Sequence, residues 1–235
     1  MIDYEKEFGA PGYSTKQTAL AATYKVVYGW MAAGLALSGV VAWYTAASGL
    51  WARILSGPGM AVCILAELAL VFVISGMVNK LSAGVATALF ALYAAVNGLT
   101  LSVVFVAYEL AVVQKIFFIT AAMFGGLAAW GSFTKSDLSS IGSFCGMALW
   151  GIIVACVANF FFKSAQLDWA ISFLSVIVFS GLAMYDAQKI KALAEAERGM
   201  DAQAVAKAGI LGALALYLDF VNIFLSLLRM FGKER

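Results

Sequence analysis

The sequence predicts an all-α membrane protein: seven transmembrane helices, with the last helix at the centre of the bundle. Three observations predict it. Hydrophobic residues make up 63% of the 235-residue chain and charged residues only 12%, against about 45–50% and 25% in soluble domains. Mean hydropathy is +0.93, and a soluble particle of this size cannot hide that much apolar surface. Seven stretches are long enough to cross a hydrocarbon core about 30 Å thick, which takes roughly 20 residues of helix. The last of them carries a polar stripe that cannot face lipid. Strand-like alternation in ten-residue blocks is absent, which argues against a membrane β-barrel.

Residues 1–24 read as a flexible tail: Asp3, Glu5, Lys6 and Glu7 precede Gly9-Ala10-Pro11-Gly12. The tail lacks the basic start of a signal peptide. Residues 25–235 read as the membrane domain, with spans near 26–47, 60–78, 84–107, 112–133, 142–162, 169–188 and 208–231. Arg53 to Gly59, with Pro58, turns the first span into the second, and Thr134 to Ser140 joins the fourth to the fifth. The longest polar segment, Lys189 to Lys207, reads as partly helical, surface-bound and interrupted near Gly199. If all seven helices span, nine of the 15 lysines and arginines fall on the N-terminal side, which places that side in the cytoplasm. A re-entrant last segment would sharpen the bias and stays open as an alternative.

Several chemistries are excluded. Without a single histidine, the chain has no Ser-His-Asp triad, HExxH zinc site or histidine-ligated haem. Cys63, Cys145 and Cys156 lie in apolar runs without metal-ligand spacing and read as buried free thiols. A net charge of +2, with no basic run, gives no reason to expect nucleic acid as a partner. No cofactor and no enzymatic activity are expected. Trp43, Trp51 and Trp169 sit where interfacial belt residues belong.

A carboxylate at mid-span costs roughly 2.5–3.5 kcal/mol on insertion scales, so embedded acids usually have work to do. Three stand out: Glu67 in the second span, Asp186 in the last turns of the sixth, and Asp219 near the middle of the seventh. Gly212, Asp219, Asn222 and Ser226 fall within about 80° of one another on a helix. Each has a plainer alternative. Asn222 and Ser226 can be interhelical glue, Asp186 can pair with Lys189, and Glu67 can be protonated against a carbonyl. Asn97, Asn159 and Lys115 read as packing and interfacial residues. Asp186 lies about 12 Å further from its span centre than Asp219 does. The two meet only if the sixth helix runs on past the interface or the seventh starts late.

The residues then point to a family. Tyr185-Asp186-Ala187-Gln188-Lys189-Ile190 resembles a Tyr-Asp-x-Gln-x-Ile element, and Ala213 to Phe224, followed by Leu227-Leu228-Arg229, resembles the last-helix signature of the same family. Lys25 to Met31 is similar to its opening helix. This is the Bax inhibitor-1, or transmembrane Bax-inhibitor-motif, family in its bacterial form, and the likeness covers nearly the whole chain. The resemblance implies a central last helix, a di-aspartyl pH sensor at Asp186 and Asp219, and a proton-sensitive calcium leak in a cell membrane. It implies a pore-associated role for Glu67. The polar stripe puts Asn222 on the same ion pathway, and the carboxylates of Asp186 and Asp219 suit transient binding of Ca²⁺. Some relatives pair the sensor with an arginine at the inner end of helix two. Here the stretch reads Ser75-Gly76-Met77-Val78-Asn79-Lys80, so Lys80 is the candidate latch.

Two other functions stand beside this reading. Some bacterial relatives bind and modulate a membrane-bound ATP-dependent protease through the N-terminal tail, so a regulator of quality control is the alternative reading. A di-aspartyl intramembrane protease would need a Pro-Ala-Leu element, and the only prolines are Pro11 and Pro58.

Overall fold

The computed structural model describes residues 11–54, 56–196 and 202–233. Seven described helices are long and apolar enough to cross a membrane. They are α1 (Pro11–Ala47), α2 (Gly59–Met77), α3 (Ala83–Ala107), α4 (Leu110–Phe133), α5 (Ser139–Phe162), α6 (Ala165–Ala196) and α7 (Ala202–Phe231). A five-residue helix, Leu50–Ile54, lies between α1 and α2, and a 3₁₀ turn, Val78–Lys80, follows α2.

Two helices run further than their apolar cores. Helix α1 starts at Pro11, so residues 11–24, expected as flexible tail, are helical. Proline suits the first helical position, and Tyr13 to Tyr28 contains neither glycine nor proline. The expected protease contact falls partly on residues 1–10, which lie outside the described residues. Helix α6 continues through Lys189-Ile190-Lys191-Ala192-Leu193-Ala194, a run of good helix formers. The interruption expected near Gly199 lies outside the described residues.

The connections are short and locally satisfied. Ser82 caps α3, its Oγ accepting from Val85 N at 3.3 Å. Asp137 Oδ1 accepts from Ser139 N at 2.9 Å ahead of α5. Lys163 takes a left-handed turn after α5 (φ 51°), and Asn159 Oδ1 accepts from Ser164 N at 2.9 Å. Asn159 is therefore a helix-end residue. Trp43 and Trp169 stand more than half exposed near helix ends.

Helix α7 packs against α1, α3, α4 and α6, whereas α2 leans mainly on α3 and α5 mainly on α6. In the most apolar stretch of α7, 67% of residues are buried, against at most 39% in any other span. That makes α7 the central helix. Apolar burial gives little drive between helices in lipid, so close approach at small residues matters. Gly131 of α4 lies against the Met184 backbone, Gly142 of α5 against the Tyr185 ring, and Gly98 of α3 against Ser38 and Val41. The far end of α7 reaches Tyr108, against which Gly232 packs, while its near end packs on α1 where Gly209 meets Val26. Helix α7 thus runs the length of the bundle as one continuous helix. Cys63 and Cys145 are buried, but Cys156 is exposed on the outer face of α5, a correction to its expected burial.

Candidate functional site

Asp186 and Asp219 are set by the packing of α6 on α7. A Cβ on Gly212 would stand 3.0 Å from Ile190 Cγ1, so these residues face each other across two antiparallel helices. Seven residues along each helix, Asp219 comes level with Ala183. Asp186 then lies one turn nearer the connecting end, a stagger of about 4.5 Å along the axis. The continuation of α6 past its apolar core makes this approach possible.

Asp219 is 3% exposed, and its Oδ2 is buried without a hydrogen-bonding partner among the described residues. The Asp186 charge lies within Coulombic reach of it, as does the Cys145 thiol of α5. The direct carboxylate–carboxylate hydrogen bond expected of the pair is not formed among the described residues; the one-turn stagger is the reason. Lys189 acts on Asp186 through its charge, but the two close no ion pair among the described residues. A crevice of about 150 Å³ between α6 and α7 is lined by Asp186, Lys189, Ile190, Ala208, Gly212 and Ala215 among others. It ends one turn short of Asp219, which is sealed behind it.

The wall beside Asp186 is fixed by the neighbouring motif residues. The Tyr185 ring covers Gly142. Gln188 fastens the α4–α5 connection: its Oε1 accepts from Leu138 N at 2.9 Å, and its Nε2 donates to Ser136 O at 2.8 Å. The Tyr-Asp-x-Gln element is therefore a carboxylate held between two anchors.

Glu67 is not brought to the aspartates. It is half-buried on α2 facing α3, where Thr100 Oγ1 donates to its Oε1 at 2.7 Å. Thr100 Oγ1 also lies 2.9 Å from Asn97 O, which sets the Asn97 side chain beside the same carboxylate. Asn97 Oδ1 accepts from Tyr217 Oη at 2.8 Å, and Tyr217 Oη lies 2.6 Å from Ser38 Oγ. Ser38, Asn97 and Tyr217 are 1%, 7% and 0% exposed. A polar cluster thus extends from Glu67 through Thr100 and Asn97 to the middle of α7. Tyr217 and Asp219 are about 200° apart around that helix, so the two acidic groups occupy opposite sides of α7.

The remaining expected residues fall as follows. Ser226 is buried at 1% exposure. Asn222 is half-buried, and its Nδ2 donates to Leu218 O of its own helix at 2.8 Å; it spends that donor locally rather than on a neighbouring helix. Lys80 is exposed at the end of the 3₁₀ turn and closes no ion pair with either aspartate among the described residues. The turn itself touches α7, but the Lys80 side chain is exposed rather than turned into the bundle, so the expected latch is not formed among the described residues. No three histidine, cysteine, aspartate or glutamate side chains converge among the described residues. Sequence reasoning missed Ser38, Thr100 and Tyr217 and read Asn97 as packing. The available signal was Asn97 and Thr100 at i, i+3 on one face of α3.

These features define a seven-helix membrane protein with carboxylates on both sides of a buried central helix. A family model described as Inhibitor of apoptosis-promoting Bax1 matches residues 20–235. The chain belongs to the Bax inhibitor-1 family. It is 49% identical over 211 residues to the inner membrane protein YbhL of Escherichia coli, covering 89% of this chain and 90% of that one. A protein of Borreliella burgdorferi is 40% identical over 211 residues, with the same coverage. One of Deinococcus radiodurans is 44% identical over 214 residues, 88% of each chain.

Proposed function

We propose that the protein is a pH-sensitive passive calcium leak, not an enzyme, in the inner membrane, with the N-terminus in the cytoplasm. The observation that carries this reading is Asp219: a carboxylate sealed in the bundle core, its Oδ2 unpartnered, directly behind a crevice that ends at Asp186. An unpaired buried acid is costly as a structural device and useful where a proton or cation must pass. Ca²⁺ favours carboxylate and carbonyl oxygens. Two neighbouring carboxylates titrate as a unit, which supports pH sensitivity. The 49% identity to an inner membrane protein supports the location, and the excess of basic residues on the N-terminal side supports the orientation. Glu67 is a second acidic station on the other side of α7, so a continuous path needs α7 to shift.

The test is calcium release from dye-loaded proteoliposomes against protein-free liposomes between pH 5 and 8. Release at the protein-free rate throughout that range would rule the leak out.

A further inference from the structure

The cluster around Tyr217 has fewer protons than contacts. The Tyr217 and Ser38 hydroxyls carry one proton each. Between them they make four short contacts: Tyr217 Oη to Asn97 Oδ1 at 2.8 Å, Ser38 Oγ to Tyr217 Oη at 2.6 Å, and Ser38 Oγ to Ala94 O at 2.7 Å and Gly34 O at 3.0 Å. Two arrangements use both protons well. In the first, Tyr217 donates to Asn97 Oδ1 and Ser38 donates to Tyr217. In the second, Tyr217 donates to Ser38 and Ser38 donates to Ala94 O. Asn97 then turns its amide over, so that Nδ2 donates to Tyr217 Oη.

Glu67 decides between them. An amide has a donor on one side and an acceptor on the other, and turning it exchanges the two. In the first arrangement Nδ2 faces Glu67, which suits a bare carboxylate that can only accept. In the second, Oδ1 faces Glu67, and two acceptors repel unless something positive lies between them. A proton on Glu67 supplies a donor. A hard cation would be held by the carboxylate, the turned Asn97 Oδ1 and the Thr100 hydroxyl, all oxygen ligands.

We propose that Asn97 is a two-position amide switch that completes a proton-or-cation site with Glu67 and Thr100 and reports its occupancy to Tyr217 in the centre of α7. The titratable groups within reach of the Glu67 charge among the described residues are the Tyr93 phenol of α3 and Tyr217 itself. The switch does not require the cation to cross the bundle, so it stands or falls separately from the leak. The occupant is a proton or a small hard cation; a thiophilic ion has no sulfur or nitrogen partner here.

The test uses the full chain in lipid nanodiscs with ¹³Cζ-labelled tyrosine, whose shift reports whether the hydroxyl donates or accepts. Tyr217→Phe assigns the resonance among nine tyrosines. In the wild type, the Tyr217 signal should move between two positions as pH goes from 4 to 9. Ca²⁺ added to the high-pH form should move it towards the low-pH position. Glu67→Gln should abolish both movements, and Asp219→Asn should leave them. A signal that ignores pH and Ca²⁺, or one that still moves in Glu67→Gln, would overturn the switch. Circular dichroism of each variant checks that the helices are intact.

Discussion

The Tyr217 hydroxyl of the last span donates a 2.8 Å hydrogen bond to Asn97 Oδ1 of the third, in a core where the tyrosine is fully buried. Around it, Phe90 and Tyr93 pack edge-on with ring centroids 5.9 and 5.6 Å away. The central helix is thereby tied to α3 by a polar contact inside an aromatic collar. Tyr217 also touches Ser38 of α1, so one hydroxyl joins three helices.

Tyr217→Phe keeps the collar and removes the tie. Interhelical hydrogen bonds in lipid average about 0.6 kcal/mol, and a buried acceptor left unpaired costs about 1–3 kcal/mol. A loss of about 1–2 kcal/mol in reversible detergent unfolding is expected. Ser38→Ala should cost less, and the double variant less than the sum, because both act on one cluster. Additive losses would mean that the two hydroxyls do not share a network.

Gly142 admits the Tyr185 ring because it lacks a side chain: a Cβ there would stand 2.6 Å from Tyr185 Cγ. Gly142→Val should therefore push α5 away from α6 at an overpacking cost of about 1–3 kcal/mol, read as a lowered unfolding midpoint. Because Tyr185 adjoins Asp186, the pH profile of flux should change as well. Wild-type stability in this variant would mean that the helices do not approach as described.

Lys80 offers a contrast. It is exposed and unpaired with either aspartate, so Lys80→Gln should change stability by less than about 0.5 kcal/mol and leave the pH profile of flux intact. A displaced profile would restore Lys80 as a latch.

The helices were largely legible in the sequence, because lipid demands about 20 apolar residues and the chain supplies seven such runs. The ends of α1 and α6 were not, since helix formers continue each helix after the apolar pattern stops. Asp186 and Asp219 were visible as expensive groups. Their one-turn stagger was not, because axial offset is set by how Gly212 meets Ile190 and how Gly131 meets Met184, not by either segment alone. Tyr217, Ser38 and Thr100 went unread because hydroxyls are common in membrane helices and only packing brings them together. Cys156 was misread for a related reason: lipid-facing and protein-facing positions are equally apolar.

Asp137 belongs to the pH account as a control. Its carboxylate accepts from Ser139, through side-chain and backbone contacts, which holds it below the usual carboxylate range. A lowered native value means that its contribution is complete above the unfolded reference of about 3.9 and is lost only as pH falls through the lowered value. It is constant between pH 5 and 8. Asp137→Asn should therefore leave the flux profile in that window unchanged, while amide exchange at Ser139 should rise only in stronger acid. A flattened profile in Asp137→Asn would place the sensor in the α4–α5 connection instead.

The proposed leak rests on Asp186 and Asp219 acting as one proton-sensitive unit in a calcium path. The most direct measurement is calcium flux in proteoliposomes from pH 5 to 8 for the wild type, Asp186→Asn, Asp219→Asn and the double variant. Flux should vary with pH in the wild type, with a flattened profile in each single variant. The double variant should add little, because either change breaks the same unit. Single variants that keep the full wild-type pH profile would contradict it.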